Sequence, residues 1–255
     1  MHDYHLHTKA SFDCNSSAEK MIEGAIAKGL EAICITDHYD FNYPCGDDFT
    51  LDIPSYVKLI KTMQKKYAGK ITIFCGIEIG MDLMYEKEIK ALLMSYKFDY
   101  IIGSVHVISG TEFYYADFFL NKTKFEANLQ YFEAVLSCLQ HFPEVNTLGH
   151  IDYISRYGEN EKGQICYQDY AEILDAILRE LITSNRNLEI NTSGLRQGVG
   201  VCFPDADILQ RYAELGGKKV VCGSDAHYPC DVGANFLEAG KLVTDYGLIL
   251  VEITA

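Results

Sequence analysis

Lys219-Val220-Val221-Cys222-Gly223-Ser224-Asp225-Ala226-His227 sets an apolar run directly against a carboxylate and an imidazole. The run has the length and composition of a buried strand, and the polar residues fall at its carboxyl end. The same join recurs along the chain. Ala32-Ile33-Cys34-Ile35-Thr36 leads into Asp37-His38, and the run 71–77 leads into Glu78. Tyr100-Ile101-Ile102-Gly103-Ser104-Val105 leads into His106, and 145–149 into His150-Ile151-Asp152. At the amino end stands His5-Leu6-His7. On a strand alternate side chains share a face, so both imidazoles would point one way and Leu6 the other. Alone, such a pair is better explained as a solvated terminus; the later joins change its reading.

Helical stretches separate these runs. Ser16-Ser17-Ala18-Glu19 reads as a capping box with Ser16 as N-cap, followed by Met21, Ile22, Ala25 and Ile26 at helical spacing and a stop at Gly29. Further helices are predicted over 56–66, 85–95, 124–140, 167–184 and 205–215, with strands at 187–191 and 248–251. Residues 40–51 read as a loop. Strands alternating with helices imply parallel βαβ units. Seven or eight in one chain suggest an α/β fold closed into a TIM-barrel-like barrel, a single domain over 1–255, with all the strand ends on one face.

The 255 residues are 48% hydrophobic and 23% charged, ordinary for a globular protein. A net charge of −14 without a basic run argues against a nucleic-acid partner. No apolar run spans a bilayer and no leader precedes the first strand, so a cytoplasmic protein with no membrane partner is expected. The nine cysteines include no Cys-x-x-Cys, and Cys34, Cys75 and Cys222 sit in apolar runs. Free thiols in a reducing compartment are expected. The oligomeric state is not legible.

Six of the eight histidines fall at strand ends, beside carboxylates. Imidazole with carboxylate suits zinc, iron and manganese. As a set, His5-Leu6-His7, Thr36-Asp37-His38, Glu78, Ser104-Val105-His106, Gly149-His150 and Ser224-Asp225-Ala226-His227 resemble the PHP (polymerase and histidinol phosphatase) family of metal-dependent phosphoesterases. The resemblance implies a distorted (β/α)7 barrel with the site at the C-terminal ends of its strands, holding two to three divalent ions (Zn, Fe or Mn). It assigns His5, His7, Glu78 and Asp225 to a first ion. Glu78 would bridge to a second held by His106 and His150. His38, His227 and Asp13 would take a third. Asp37, next to a ligand, would orient an imidazole.

The stretches 149–158 and 189–196 resemble those of histidinol-phosphate phosphatases, which puts Arg156 and Arg196 on the metal face as phosphate clamps. A guanidinium fork matches phosphate oxygens. The implied reaction is hydrolysis of a small phosphate monoester, L-histidinol phosphate first, as in histidine biosynthesis, by a hydroxide activated between two metals. A metal-bound water, Asp225 and His227 are candidates to protonate the leaving group. Rival expectations are a phosphotyrosine-protein phosphatase, a nucleotide phosphodiesterase or exonuclease, an amidohydrolase, or a non-catalytic metal-binding barrel. His2 and His141 read as solvated. The aromatic segment 113–119 reads as packing or a lid, and Asp47, Asp48 and Glu112 as acids within reach of a substrate amine.

Overall fold

Each of seven parallel strands is followed by a helix in the computed structural model, which describes residues 1–44, 49–113, 116–157 and 165–253. In chain order the elements are β1 (His2–Leu6), α1 (Ala18–Ala27), β2 (Ala32–Ile35), β3 (His38–Tyr39), α2 (Ile53–Lys66), β4 (Thr72–Gly80) and α3 (Glu86–Ser95). Then come β5 (Tyr100–Ser104), the short pair β6 (Val107–Ile108) and β7 (Thr111–Glu112), α4 (Lys124–His141), β8 (Thr147–Leu148) and α5 (Ala171–Thr183). β9 (Asn187–Asn191), α6 (Ala206–Glu214), β10 (Lys219–Gly223), α7 (Phe236–Asp245) and β11 (Ile249–Leu250) complete the chain.

The protein is a mixed α/β structure built on a curled parallel sheet with strand order β1-β2-β4-β5-β8-β9-β10-β11; β3 also pairs with β4. Beyond β10 the chain returns to the first strand. Asp225 N–H donates to the His5 carbonyl at 2.7 Å and His7 N–H to the Ala226 carbonyl at 2.9 Å. β11 pairs with the opposite end of β10, at Lys219 and Val220.

The two faces of the sheet do different work. Ile33, Ile35, Ile77, Leu188, Ile190 and Val220 are fully buried in the large core that also takes the apolar sides of the helices. Each such side chain contributes about 1.5–3 kcal/mol by leaving water. A smaller cluster of Tyr4, Cys34, Phe74, Tyr100, Ile102 and Val221 fills the other face. Phe74 and Glu78 are four residues apart on β4 and so share that face. The register of β1 against β2 slips between Asp3 and Leu6, an irregularity that lets Tyr4 join the apolar cluster while His5 joins the polar one above it.

Three local expectations change. The N-cap of α1 is Ser17, which accepts from Lys20 N–H, while the Ser16 hydroxyl donates to the His227 carbonyl at 3.0 Å. The strand predicted over 71–77 runs on to Gly80. The helix α7 has no counterpart in the sequence reading: it starts from Asn235 in a left-handed conformation without a side-chain cap, and Gly240 interrupts its pattern. The eight cysteines among the described residues are free, with Cys34, Cys75 and Cys222 buried. No helix among the described residues is long and apolar enough to cross a membrane.

Candidate metal centre

Glu78 is the fixed point of the site. It is fully buried near the end of β4, and its Oε1 accepts from the Ser104 hydroxyl at 2.7 Å. Around Oε2 stand His38 Nδ1 at 2.8 Å, His5 Nε2 at 3.2 Å and His7 Nε2 at 3.6 Å. Around Oε1 stand His150 Nε2 at 3.0 Å and His106 Nε2 at 3.4 Å. Asp225 Oδ1 completes the first group, 3.3 Å from His7 Nε2 and 3.9 Å from His5 Nε2. At the mouth, Asp13 Oδ2 lies 3.1 Å from His227 Nε2 and 3.6 Å from His38 Nε2. The structure thus gathers the nine side chains that the sequence reading proposed as ligands.

Distances of this kind distinguish ion pairs from a coordination shell. His5 Nε2, His7 Nε2 and Glu78 Oε2 are buried without a hydrogen bond of acceptable geometry, although each lies near the others. Four ligands held about 2.0–2.1 Å from a tetrahedral ion are about 3.3 Å apart. The separations of 3.2, 3.3 and 3.6 Å match that spacing. Potential ligand groups of three form around His5–His7–Asp225, His5–Glu78–His150, His7–His38–His227 and His38–Asp40–His106. These donors fit divalent ions.

Charge within the cluster is strongly biased. Burial favours neutral groups, yet His5, His38 and His106 hold the Glu78 carboxyl well below its ordinary pKa. Burial would lower His5, but Glu189, Glu78 and Asp225 hold it well above the usual value. Burial and the neighbouring His38 and His227 take His7 the other way, down to about 3. Burial also opposes protonation of His106, but Asp40 and Glu78 push it up to about 9. Asp225, despite burial, is held low by His5, His7 and Arg156. Its backbone adopts φ +55°, costly for a residue with a side chain and typical of functional sites.

Several groups that orient the cluster were missed by the sequence reading. Glu189 on β9 is fully buried; its Oε1 lies 2.6 Å from His5 Nδ1 and its Oε2 accepts from His150 N–H at 2.8 Å. Asp40 Oδ1 lies 2.9 Å from His106 Nδ1. Such partners fix the ring and leave the far nitrogen for a ligand bond. Glycine makes room for both: a Cβ at Gly80 would overlap the Asp40 carboxylate, and one at Gly223 would overlap Glu189 and His5. Asp3 ties the first strand to the last loop, accepting from Ser224 N–H and Gly233 N–H.

Asp37 departs from its expected role. Its carboxylate accepts from Thr8 N–H at 2.6 Å, Thr8 Oγ1 at 2.8 Å, Ser11 N–H at 3.2 Å and Ser11 Oγ at 2.7 Å. It therefore anchors the turn after His7, and reaches the imidazoles only through Ser11, whose hydroxyl lies 3.4 Å from His7 Nδ1. That use of its lone pairs leaves the rings to Asp40 and Glu189.

The cluster opens into a cleft of about 760 Å³ that also carries Arg156 and Arg196. Arg156 Nη2 donates to Asp225 Oδ2 at 2.8 Å and to the Ser193 hydroxyl at 2.6 Å. Its guanidinium lies between the rings of Tyr153 and Phe203, 4.7 and 4.9 Å from their centres. Arg196 donates to the Thr192 and Ser224 carbonyls, and its Nε is 3.7 Å from Asp231. Phe113 and Phe118 are buried in the core, so this part of the aromatic segment is packing; Tyr114, Tyr115, Asp47 and Asp48 lie outside the described residues. His141 is exposed, whereas His2 is largely covered and lies 2.7 Å from the Tyr4 hydroxyl.

Comparison with known proteins finds a family match and similar phosphatases. The PHP domain family matches residues 3–193. A histidinol-phosphatase of Lactococcus lactis subsp. lactis (strain IL1403) is 40% identical over 226 residues, covering 88% of this chain and 83% of its own. A probable histidinol-phosphatase of Clostridium acetobutylicum is 36% identical over 246 residues, 96% of this chain and 94% of its own. The crystal structure of the histidinol phosphate phosphatase of Lactococcus lactis subsp. lactis Il1403, complexed with zinc, L-histidinol and phosphate, matches with a TM-score of 0.90 at 36% identity, over 100% of this chain and 96% of that one.

Proposed function

The chain belongs to the PHP domain family, and from that premise we propose that it hydrolyses L-histidinol phosphate to L-histidinol and inorganic phosphate. One observation carries the reading. Asp225 turns one carboxylate oxygen to the imidazoles of His5 and His7 and the other to Arg156, joining the histidine cluster to a guanidinium that matches a phosphate.

Two to three divalent ions (Zn, Fe or Mn) fit the donors present. His5, His7, Glu78 and Asp225 would hold one, Glu78, His106 and His150 a second, and Asp13, His38 and His227 a third. Such ions supply Lewis acidity to phosphoryl oxygens and acidify water. The chain's own residues do the rest. Arg156 and Arg196 grip the phosphoryl group as negative charge develops on it. Ser193, Tyr153 and Phe203 keep the Arg156 fork in place. Water oxygen adds to phosphorus as the ester P–O bond breaks, and the departing alkoxide takes up a proton.

We assign proton handling to Asp225 and His227. Both line the cleft beside Arg156 and Arg196. Nε2 of His227 serves either as donor or as ligand. A bound-metal count of two with a His227-dependent limb in the pH–rate profile assigns it to the proton; a count of three assigns it to the metal.

The seven βα units, with β1 meeting the segment after β10, support reading the sheet as a distorted (β/α)7 barrel in a single domain over 1–255, with β11 filling the other end of that seam. The acidic composition supports a small-molecule substrate over nucleic acid, and the free cysteines support a cytoplasmic location. The test is phosphate release from L-histidinol phosphate by metal-loaded protein, against phosphotyrosine peptide and nucleotide monoesters. Turnover of a rival with none of L-histidinol phosphate refutes the assignment.

A further inference from the structure

Arg156 and His5 are joined by an unbroken line of hydrogen bonds that passes through one carboxamide. Arg156 Nη2 donates to the Ser193 hydroxyl at 2.6 Å, and that hydroxyl donates to Asn191 Oδ1 at 2.5 Å. Asn191 Nδ2 donates in turn to Glu189 Oε2 at 3.2 Å, and the other oxygen of that carboxylate lies 2.6 Å from His5 Nδ1. Glu189, Asn191 and Ser193 are all fully buried.

The chemistry of the two neighbours fixes both the residue and its orientation. Ser193 presents its N–H, at 3.0 Å, as well as its hydroxyl, so an acceptor has to face it. Glu189 presents a carboxylate oxygen, so a donor has to face it. A carboxamide supplies one of each. A carboxylate at 191 would set like charges against one another, and an apolar side chain would strand buried polar atoms on both sides. The Ser193 hydroxyl carries a single proton. The shorter bond takes it to Asn191 rather than to Asp225 Oδ2 at 3.1 Å, which leaves the oxygen lone pairs to Arg156. The backbone of Asn191 acts on the same guanidinium. Its N–H and carbonyl pair with Phe203 at 2.7 and 2.8 Å, and the Phe203 ring lies against Arg156.

We propose that Asn191 is a positioning residue for both halves of the site, setting the Arg156 clamp through Ser193 and the His5 ring and His150 backbone through Glu189. This inference rests on the monoesterase reading of the site and deepens it. The Asn191 side chain acts only through those two neighbours. Its loss frees the Ser193 hydroxyl to turn to Asp225 and removes one of the bonds that hold the Glu189 carboxylate. One substitution therefore loosens two binding events at once, that of the metal and that of the phosphoryl group.

The test measures two constants on each variant: zinc affinity by chelator competition in the absence of phosphate, and affinity of the zinc-loaded protein for inorganic phosphate by calorimetry. Asn191→Ala should weaken both about 5–20-fold. Ser193→Ala should weaken chiefly phosphate binding, and Glu189→Gln chiefly zinc binding. Adding Asn191→Ala to Glu189→Gln should then cost zinc affinity less than about a further twofold, and adding it to Ser193→Ala should cost phosphate affinity no more than that. Asn191→Asp, equal in size and a second variant should the alanine protein not fold, keeps the acceptor toward Ser193 and loses the donor toward Glu189. It should move zinc affinity more than phosphate affinity. An Asn191→Ala effect on one constant alone, full additivity in both double variants, or an Asn191→Asp effect greater on phosphate than on zinc overturns the proposal. Should the metal-loaded protein release no phosphate from L-histidinol phosphate while both constants respond as described, the positioning role stands and the histidinol assignment falls.

Discussion

Replacing Glu189 by Gln changes no ligand atom, yet it should loosen the metal centre. Glu189 Oε1 lies 2.6 Å from His5 Nδ1 and Oε2 accepts from His150 N–H at 2.8 Å. Glutamine keeps the shape but has one acceptor oxygen, so either the His5 ring or the His150 backbone loses its partner and faces an NH2 group. A hydrogen bond to a charged group is worth about 1.5–3 kcal/mol, a factor of about 10–150 in an equilibrium constant. Groups that orient metal ligands generally cost about 10–100-fold on removal. We expect zinc affinity, measured by chelator competition, to fall about 10–100-fold with the far-UV spectrum intact. Gly223→Ala, which presses on the same carboxylate and on His5, should act in the same direction. If Glu189→Gln binds zinc within about threefold of the unmodified protein and turns over normally, the orienting argument is wrong.

Removing metal should both abolish phosphate release and lower the Tm. An ion at 1,000 times its Kd adds about 4 kcal/mol to stability, and zinc or manganese should restore both properties. Asp37→Asn should lower the Tm by several degrees, because four hydrogen bonds to Thr8 and Ser11 lose their charged acceptor. A pH effect is expected from Asp152. Burial pushes its carboxyl up from 3.8 to about 8, so its contribution to stability is whole below pH 3.8 and is lost as pH rises through 8. Asp152→Asn should therefore flatten the decline between those values, read as a Tm difference from the unmodified protein that widens with pH.

The candidate ligands were legible in the sequence because parallel strands deliver their carboxyl ends to one place, where a histidine or acid just past an apolar run joins the others. His5, His106, His150 and Asp225 were placed by that logic, and the alternation of strands and helices followed from the same runs. The orienting groups obey no such rule. Glu189 sits inside a strand, where it reads as one polar residue among apolar neighbours, and Asp40 sits in what reads as a loop. Only the three-dimensional neighbours, His5 and His106, give those carboxylates their roles. Asp37 misled for a related reason: adjacency to His38 in sequence suggested contact with an imidazole, whereas its oxygens turn to the Thr8–Ser11 turn. The helix α7 was hidden by weak local signals and is held in place by packing of Phe236 and Ala239.

The inner face of the sheet explains how so much buried charge is tolerated. Along β4 the residues on that face run Phe74, Gly76, Glu78; along β5 they run Tyr100, Ile102, Ser104. On these two strands the face divides into an apolar start and a polar end; β9 instead presents Asn187, Glu189 and Asn191 there, with Asn187 donating to the Tyr100 hydroxyl at 3.1 Å. Below the division, close packing excludes water and fixes the strands. Above it, orienting carboxylates hold the rings while His5 Nε2, His7 Nε2 and Glu78 Oε2 are left without a hydrogen bond, and glycine at 80 and 223 leaves the space that the Asp40 and Glu189 carboxylates fill. Uncompensated, buried charges of this number would each cost several kcal/mol. Ligands and their orienting groups therefore have to change together, while the apolar level beneath them is free to vary so long as volume is kept.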